Sequence, residues 1–216
     1  MLLLTLAAAG LMVGPEPDPK RIVNTNNYPA AMVQANKSIF AEIAAVINPD
    51  GEIERCGVLT FIGDAQFAKG VCGLLDKHMW NKSLDTEGRP IYALIKTGLK
   101  FSIPSTRVGR EVQSAKQHAD LQLPFPYEWR GRADEVDVPL SALIGDDGHV
   151  EACRFQPAPL TKKDARDLAD LACESIGRQS FGPIPTNKGS ITRYVVTENI
   201  RFSRSISGRP IGGSNP

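Results

Sequence analysis

Histidine is scarce in this chain. There are three among 216 residues, and His78, His118 and His149 are scattered. That distribution does not supply the ligands of a histidine metal site. The four cysteines never stand as CxxC or CxxxC, so zinc-ribbon and thioredoxin-like readings lack their signature. Neither charge sign is in excess, with 25 Lys and Arg against 24 Asp and Glu, and the balance holds in both halves. A nucleic-acid partner would ask for a basic surplus on one domain. No GxSxG, P-loop, helix-opening GxGxxG or HExxH is present. Asp146-Asp147-Gly148 lacks the later ligands of a calcium loop and reads as a turn. The expectation is a chain with no metal, no cofactor and no catalytic constellation.

Long hydrophobic runs are missing too, apart from Leu2–Val13. Twelve helical residues span about 18 Å, short of a ~30 Å hydrocarbon core. Residues 1–14 therefore read as a secretory signal peptide with a candidate Ala7-x-Ala9 cleavage site, although no Lys or Arg precedes the run. A short uncleaved anchor and a buried core segment are the alternatives. Residues 15–24 follow as a spacer whose start, Pro15-Glu16-Pro17-Asp18-Pro19, is stiff and extended.

What the chain does have is an internal repeat. Gly51 and Cys56 return 97 positions later as Gly148 and Cys153, and Tyr28-Pro29 returns as Phe125-Pro126. Cys72, Gly88 and Phe101 return 101 positions later as Cys173, Gly189 and Phe202. One four-residue insertion between Cys153 and Cys173 reconciles the two offsets. Two copies of one small domain, 25–103 and 123–205, account for most of the chain. They are joined by a polar linker, 104–122, and followed by a Gly/Ser/Pro tail, 206–216. Each copy holds two cysteines at matching places, so Cys56–Cys72 and Cys153–Cys173 are the expected disulfides, with four buried thiols as the alternative. A bridge of this span stabilises by roughly 3 kcal/mol in the chain-entropy model.

Each copy reads helix–strand–strand–helix–strand. Residues 28–35 form a short helix, 38–47 a strand, Asn48–Gly51 a turn and 52–61 the returning strand. Asp64 caps a helix running to about His78, whose apolar stripe (Phe67, Ala68, Val71, Cys72, Leu75, Met79) turns Cys72 toward Cys56. A third strand covers 91–103. In the second copy the strands are 136–144, 149–155 and 191–201, and the helix starts near Thr161 and carries Ala165, Leu168, Ala169, Ala172, Cys173 and Ile176. Trp80 and Trp129 read as core or interface packing, with partner binding as the alternative. The fold class is α+β: two tandem small domains, each a three-stranded antiparallel sheet packed on helices, with one disulfide apiece.

Tyr28-Pro29, the strand 39–47, Pro49-Asp50-Gly51, the strand 52–61, the helix from Asp64, Gly88-Arg89-Pro90 and the strand 91–101 occur in the order of the TonB C-terminal domain, and this pattern resembles that family. The second copy resembles it in diverged form, through Phe125-Pro126, Asp147-Gly148, Cys153, Cys173 and Gly189. The resemblance implies a periplasmic, non-enzymatic module that binds a protein partner, such as an outer-membrane transporter or another envelope protein, by adding a peptide strand to an open sheet edge. The expected edges are 91–101 and 191–202, with Tyr92, Leu94, Lys96, Tyr194 and Val196 as partner-binding residues; the alternative is that the copies cover each other's edges. Thr60-Phe61-Ile62-Gly63 stands where the family has a Ser-Ser-Gly stretch, and the spacer is short. An anchored energy-transducing component and an enzyme on this scaffold are the other two functional readings. Membrane contact is expected only if residues 2–13 stay uncleaved.

Overall fold

The computed structural model describes residues 12, 14, 15, 30–75, 80–129, 133–156 and 163–204. The expectations for Tyr28, Pro29, the stretch before Met12, the region from Asp76 to Met79, Thr161 and the tail fall outside these residues.

The fold is α+β, with a mixed sheet and few helices. In the first half, α1 (Ala30–Gln34) leads into β1 (Ile39–Ile47) and β2 (Ile53–Gly63). There follow α2 (Ala65–Gly70), β3 (Ser83–Leu84), β4 (Pro90–Ile91) and β5 (Ala93–Phe101). Next come α3 (Arg107–Ser114), from the expected linker, and β6 (Leu121–Pro124), which straddles the linker's end. The second half holds β7 (Glu135–Ile144), β8 (Val150–Phe155), α4 (Lys163–Asp167), α5 (Ala169–Ile176), β9 (Ile184–Thr186), β10 (Gly189–Ile191) and β11 (Tyr194–Ser203).

Local chemistry accounts for the hairpins and caps. Gly51 and Gly148 both take positive φ, 85° and 79°, at the β1–β2 and β7–β8 turns, where a side chain would be strained. Asn48 Oδ1 accepts the amides of Asp50 and Glu52, an Asx turn closing the first hairpin. Asp64 accepts from the amides of Gln66 and Phe67 and starts α2. The helix expected to reach His78 is shorter. It ends at Gly70 and tightens into a 3-10 turn over Val71–Leu74, with Gly70 and Gly73 weakening helical continuation.

The larger correction concerns the sheet. Two separate three-stranded sheets are replaced by one seven-stranded sheet, ordered β2-β1-β5-β11-β7-β8, with β6 also on β11. The pairings among β1, β2 and β5 and among β7, β8 and β11 are antiparallel, whereas β6 lies parallel to β11 and the junction β5–β11 is parallel. The halves thus meet third strand to third strand. A two-fold axis in the sheet plane, along the strands, gives this arrangement and also exchanges the faces. The packing agrees. Ile39, Ala41, Ile43, Ala45 and Ile47 of β1 pack on one face with Val71, Leu75 and Trp80. Val136, Val138, Leu140, Ala142 and Ile144 of β7 pack on the other with Leu168, Ala172 and Ile176. Burying a Val, Leu or Ile side chain there stabilises by roughly 1.5–3 kcal/mol. Trp80 and Trp129 are both buried, one in each cluster.

Candidate functional site

Both expected disulfides are formed. Cys56–Cys72 ties β2 to the 3-10 turn after α2, and Cys153–Cys173 ties β8 to α5.

The residues expected on open edges lie inside the sheet instead. Leu94 pairs with Val196, and Ala93 with Val195. Val196 also pairs with Ala142 of β7. Tyr92 accepts the Val195 amide at its carbonyl (2.9 Å) and donates its hydroxyl to Glu54 (3.1 Å). Tyr194 is buried, its hydroxyl donating to the Gly182 carbonyl at 2.7 Å. The physical reason is that Tyr194, Val195 and Val196 are apolar in succession and all three are buried, so both faces of β11 are covered at its start. Such a strand gains most at the sheet centre. Each half therefore covers the other's third strand at this point.

Beyond Leu94 and Val196 the two strands part. The Lys96 amide no longer finds a backbone carbonyl on β11 and donates to Thr197 Oγ1 at 3.1 Å. The chain between α3 and β6 fills the wedge. Gln117 donates to the Lys96 carbonyl (3.0 Å), and its own carbonyl accepts from Arg201 (3.0 Å). Asp120 exchanges bonds with Asn199, amide to carbonyl at 2.9 Å and carboxylate to amide at 2.8 Å. Lys96 Nζ sits between two carboxylates, 2.8 Å from Asp120 and 3.1 Å from Glu198. Nearby, Glu42 is buried and receives the His118 amide, with His118 Nδ1 at 2.7 Å.

The seam is electrostatically loaded. Burial and the Asp120 charge push the Glu198 carboxyl up to about 7, against the pull of Lys96. Burial alone would lower the Lys96 pKa, but Glu198 and Asp120 raise it above its ordinary value. A second buried carboxylate behaves oppositely. Burial would raise Asp85, yet the amides of Arg89 and Glu87 and the guanidinium groups of Arg89 and Arg193 outweigh it and hold its pKa at about 2. Arg193 reaches Asp85 at 3.1 Å and Glu151 at 3.0 Å, which fastens the β3–β4 loop of the first half to the second. Among the described residues no group of three or more His, Cys, Asp and Glu is placed to hold a metal ion.

The outer strands of the sheet are β2 and β8. β2 is 11 residues long, and no described strand pairs with its outer side. From Cys56 to Gly63 it carries no charge. Leu59 is 54% exposed and Phe61 41%. Two register shifts bend β2 against β1, opposite Glu42/Ile43 and Val46/Ile47. β8 has six residues, among them Glu151 and Arg154, both engaged in polar contacts. The uncharged run Cys56–Gly63 was visible in the sequence, but nothing in it marks the strand as an edge. The grouping of Lys96, Asp120 and Glu198 had no signal either, because it depends on long-range pairing.

No described helix is long and apolar enough to cross a membrane. Comparison of the chain with protein-family models, with curated proteins and with solved structures finds no match.

Proposed function

We propose that this chain is an exported, non-enzymatic protein-binding module, built from two tandem copies of a domain resembling the TonB C-terminal domain, which takes up an extended peptide along β2. The observation that carries the reading is the open side of β2: eleven residues, an uncharged stretch from Cys56 to Gly63, and two exposed apolar side chains. Such a strand offers its amides and carbonyls to an incoming strand, and Leu59 and Phe61 offer apolar contact beside them. The two disulfides support an oxidising compartment, in keeping with export to the periplasm. The partner is an envelope protein presenting an extended segment, an outer-membrane transporter being the form the resemblance suggests.

The test is co-purification from periplasmic extract with the wild-type chain and with a Leu59→Lys/Phe61→Lys variant, followed by amide hydrogen exchange on the complex. Recovery of one partner by the wild type, its loss in the variant and slowed exchange along β2 are the expected results. A partner that binds both chains alike, with β2 exchange unchanged, would overturn the reading.

A further inference from the structure

Each half of the sheet has a back face that its own helices leave uncovered, and each is covered by a chain segment from elsewhere. In the first half the cover is α3 and the residues after it. Lys100 donates to the Gln113 carbonyl at 3.3 Å, and Val112 is fully buried. That cover is tethered at both ends, by β5 and by β6. In the second half the described cover is Met12, Gly14 and Pro15. Met12 is 4% exposed and packs in the cluster that contains Leu143 and Val195. Arg154 donates to the Met12 carbonyl at 3.0 Å, and Gln156 reaches the Pro15 carbonyl at 3.5 Å. Gly14 lies so close to Ser141 that a Cβ there would overlap the hydroxyl.

This seat is built for a peptide. Ser141 is 1% exposed and donates to Gln156 Oε1 at 2.7 Å, which orients the Gln156 amide toward Pro15. Arg154 and Gln156 read backbone carbonyls, which fixes the direction of the segment without reading its side chains. Selectivity comes from two places: an apolar pocket for Met12 and a position over Ser141 where only glycine fits. At the place in the first half matching Ser141 by the 97-residue offset stands Ala44, which has no hydroxyl. The polar pair is therefore particular to the second half.

We propose that the back face of the second half, formed by Ser141, Arg154, Gln156, Leu143 and Val195, is a peptide-binding site. Its resident ligand is this chain's own segment around Met12, Gly14 and Pro15, held in cis and exchangeable. The ligand class is an extended peptide with an apolar residue, glycine two positions on and proline directly after. Exchange is feasible because Met12, Gly14 and Pro15 lie outside the sheet ladder, where the contacts are two to carbonyls and the Met12 side chain. Met12 also belongs to the apolar run Leu2–Val13. Cleavage at the candidate Ala7-x-Ala9 site leaves Met12, Gly14 and Pro15 on the exported chain, whereas a membrane that holds an uncleaved run competes with the seat. This site is separate from the β2 edge, and its failure leaves the edge reading untouched.

The test uses the full chain carrying Gly14→Val, which expels its own segment, and a labelled synthetic peptide of residues 10–17. The variant is expected to bind this peptide at least tenfold more tightly than the wild-type chain does. The same peptide with valine in place of glycine is expected to bind at least tenfold more weakly. A folded Gly14→Val chain that ignores the peptide, or that takes both peptides equally, overturns the proposal. If that variant does not fold, a second measurement decides. A cysteine placed by Met12→Cys should react with a thiol reagent at least tenfold faster when Arg154→Ala and Gln156→Ala are added, under non-reducing conditions. An unchanged rate overturns the proposal.

Discussion

The two halves share a strand plan and differ at their outer borders. In the first half the outer strand is long and, over its uncharged stretch Cys56–Gly63, exposes Leu59 and Phe61. In the second half it is six residues long, and its Glu151 and Arg154 are already engaged. Short, charged outer strands are how sheets avoid unwanted pairing. The second half follows that rule and the first does not. The difference locates the binding surface of the proposed module on β2 and leaves β8 as a closed border. The centre obeys a different logic, since there the halves satisfy each other's third strands.

The largest effect should come from breaking that centre. Val196→Pro removes an amide from a strand paired on both sides, and should cost about 3 kcal/mol or more in chemical denaturation. Proline at Gly57 of the outer strand should cost clearly less. Equal costs would mean that the seam contributes no more than the border.

Removing a disulfide comes next. Cys56→Ser/Cys72→Ser and Cys153→Ser/Cys173→Ser should each cost roughly 3 kcal/mol, since loops of 16 and 20 residues differ little in closure entropy. Both pairs of substitutions should keep a single unfolding transition if the continuous sheet unites the halves. Two separate transitions would show that the halves unfold independently.

Titration of the seam is a moderate effect. The folded pKa of Glu198, about 7, lies above its ordinary 4.5. A raised carboxyl contributes stability that is complete below 4.5 and is lost as pH rises through 7. Glu198→Gln removes this loss, so the variant should gain roughly 1–3 kcal/mol over the wild type at pH 8 and little at pH 5. Asp85 gives the opposite sign. Its pKa of about 2 lies below 3.8, so its contribution is present above 3.8 and lost as pH falls through 2. Asp85→Asn should therefore destabilise at pH 7, with the deficit shrinking toward pH 2. Denaturation midpoints across pH 2–8 check both signs.

The smallest stability effect belongs to the border itself. Leu59→Lys and Phe61→Lys should each shift stability by no more than about 0.5 kcal/mol, because both side chains are exposed. Partner recovery is the quantity they should change. A large stability loss in either variant would mean that the side chain packs rather than waits for a partner.

Much of this plan was legible in the residues. Hairpin turns with Gly51 and Gly148, the β-branched runs of β1 and β7 and the cysteine repeat led to the main strands and both disulfides. The short hairpins β3–β4 and β9–β10 escaped notice, since strands of two or three residues hold too few positions to show a period. β6 was hidden because it forms only by lying beside β11. The parallel pairing of Leu94 with Val196 had no local signal either. Its nearest trace was the unbroken apolar run Tyr194-Val195-Val196, the pattern of a strand buried on both faces. Reading that run as interior would have moved the expected edge from β5 and β11 to β2. The seam carboxylates followed from the same pairing and were legible only once it was known.

The parallel junction also imposes an order in time. The β1–β2 hairpin can form within about 1–10 μs of its residues being free. β5 completes its antiparallel pairing with β1 soon after, but its other side waits for Val195 and Val196, about a hundred residues further on. At roughly 5–20 residues per second, that wait lasts about 5–20 s of synthesis. Throughout it the first half presents a strand border on each side, β2 and β5. A nascent chain stalled or cut between β5 and β7 thus carries one sticky border more than the finished protein, and its natural failure is aggregation through β5.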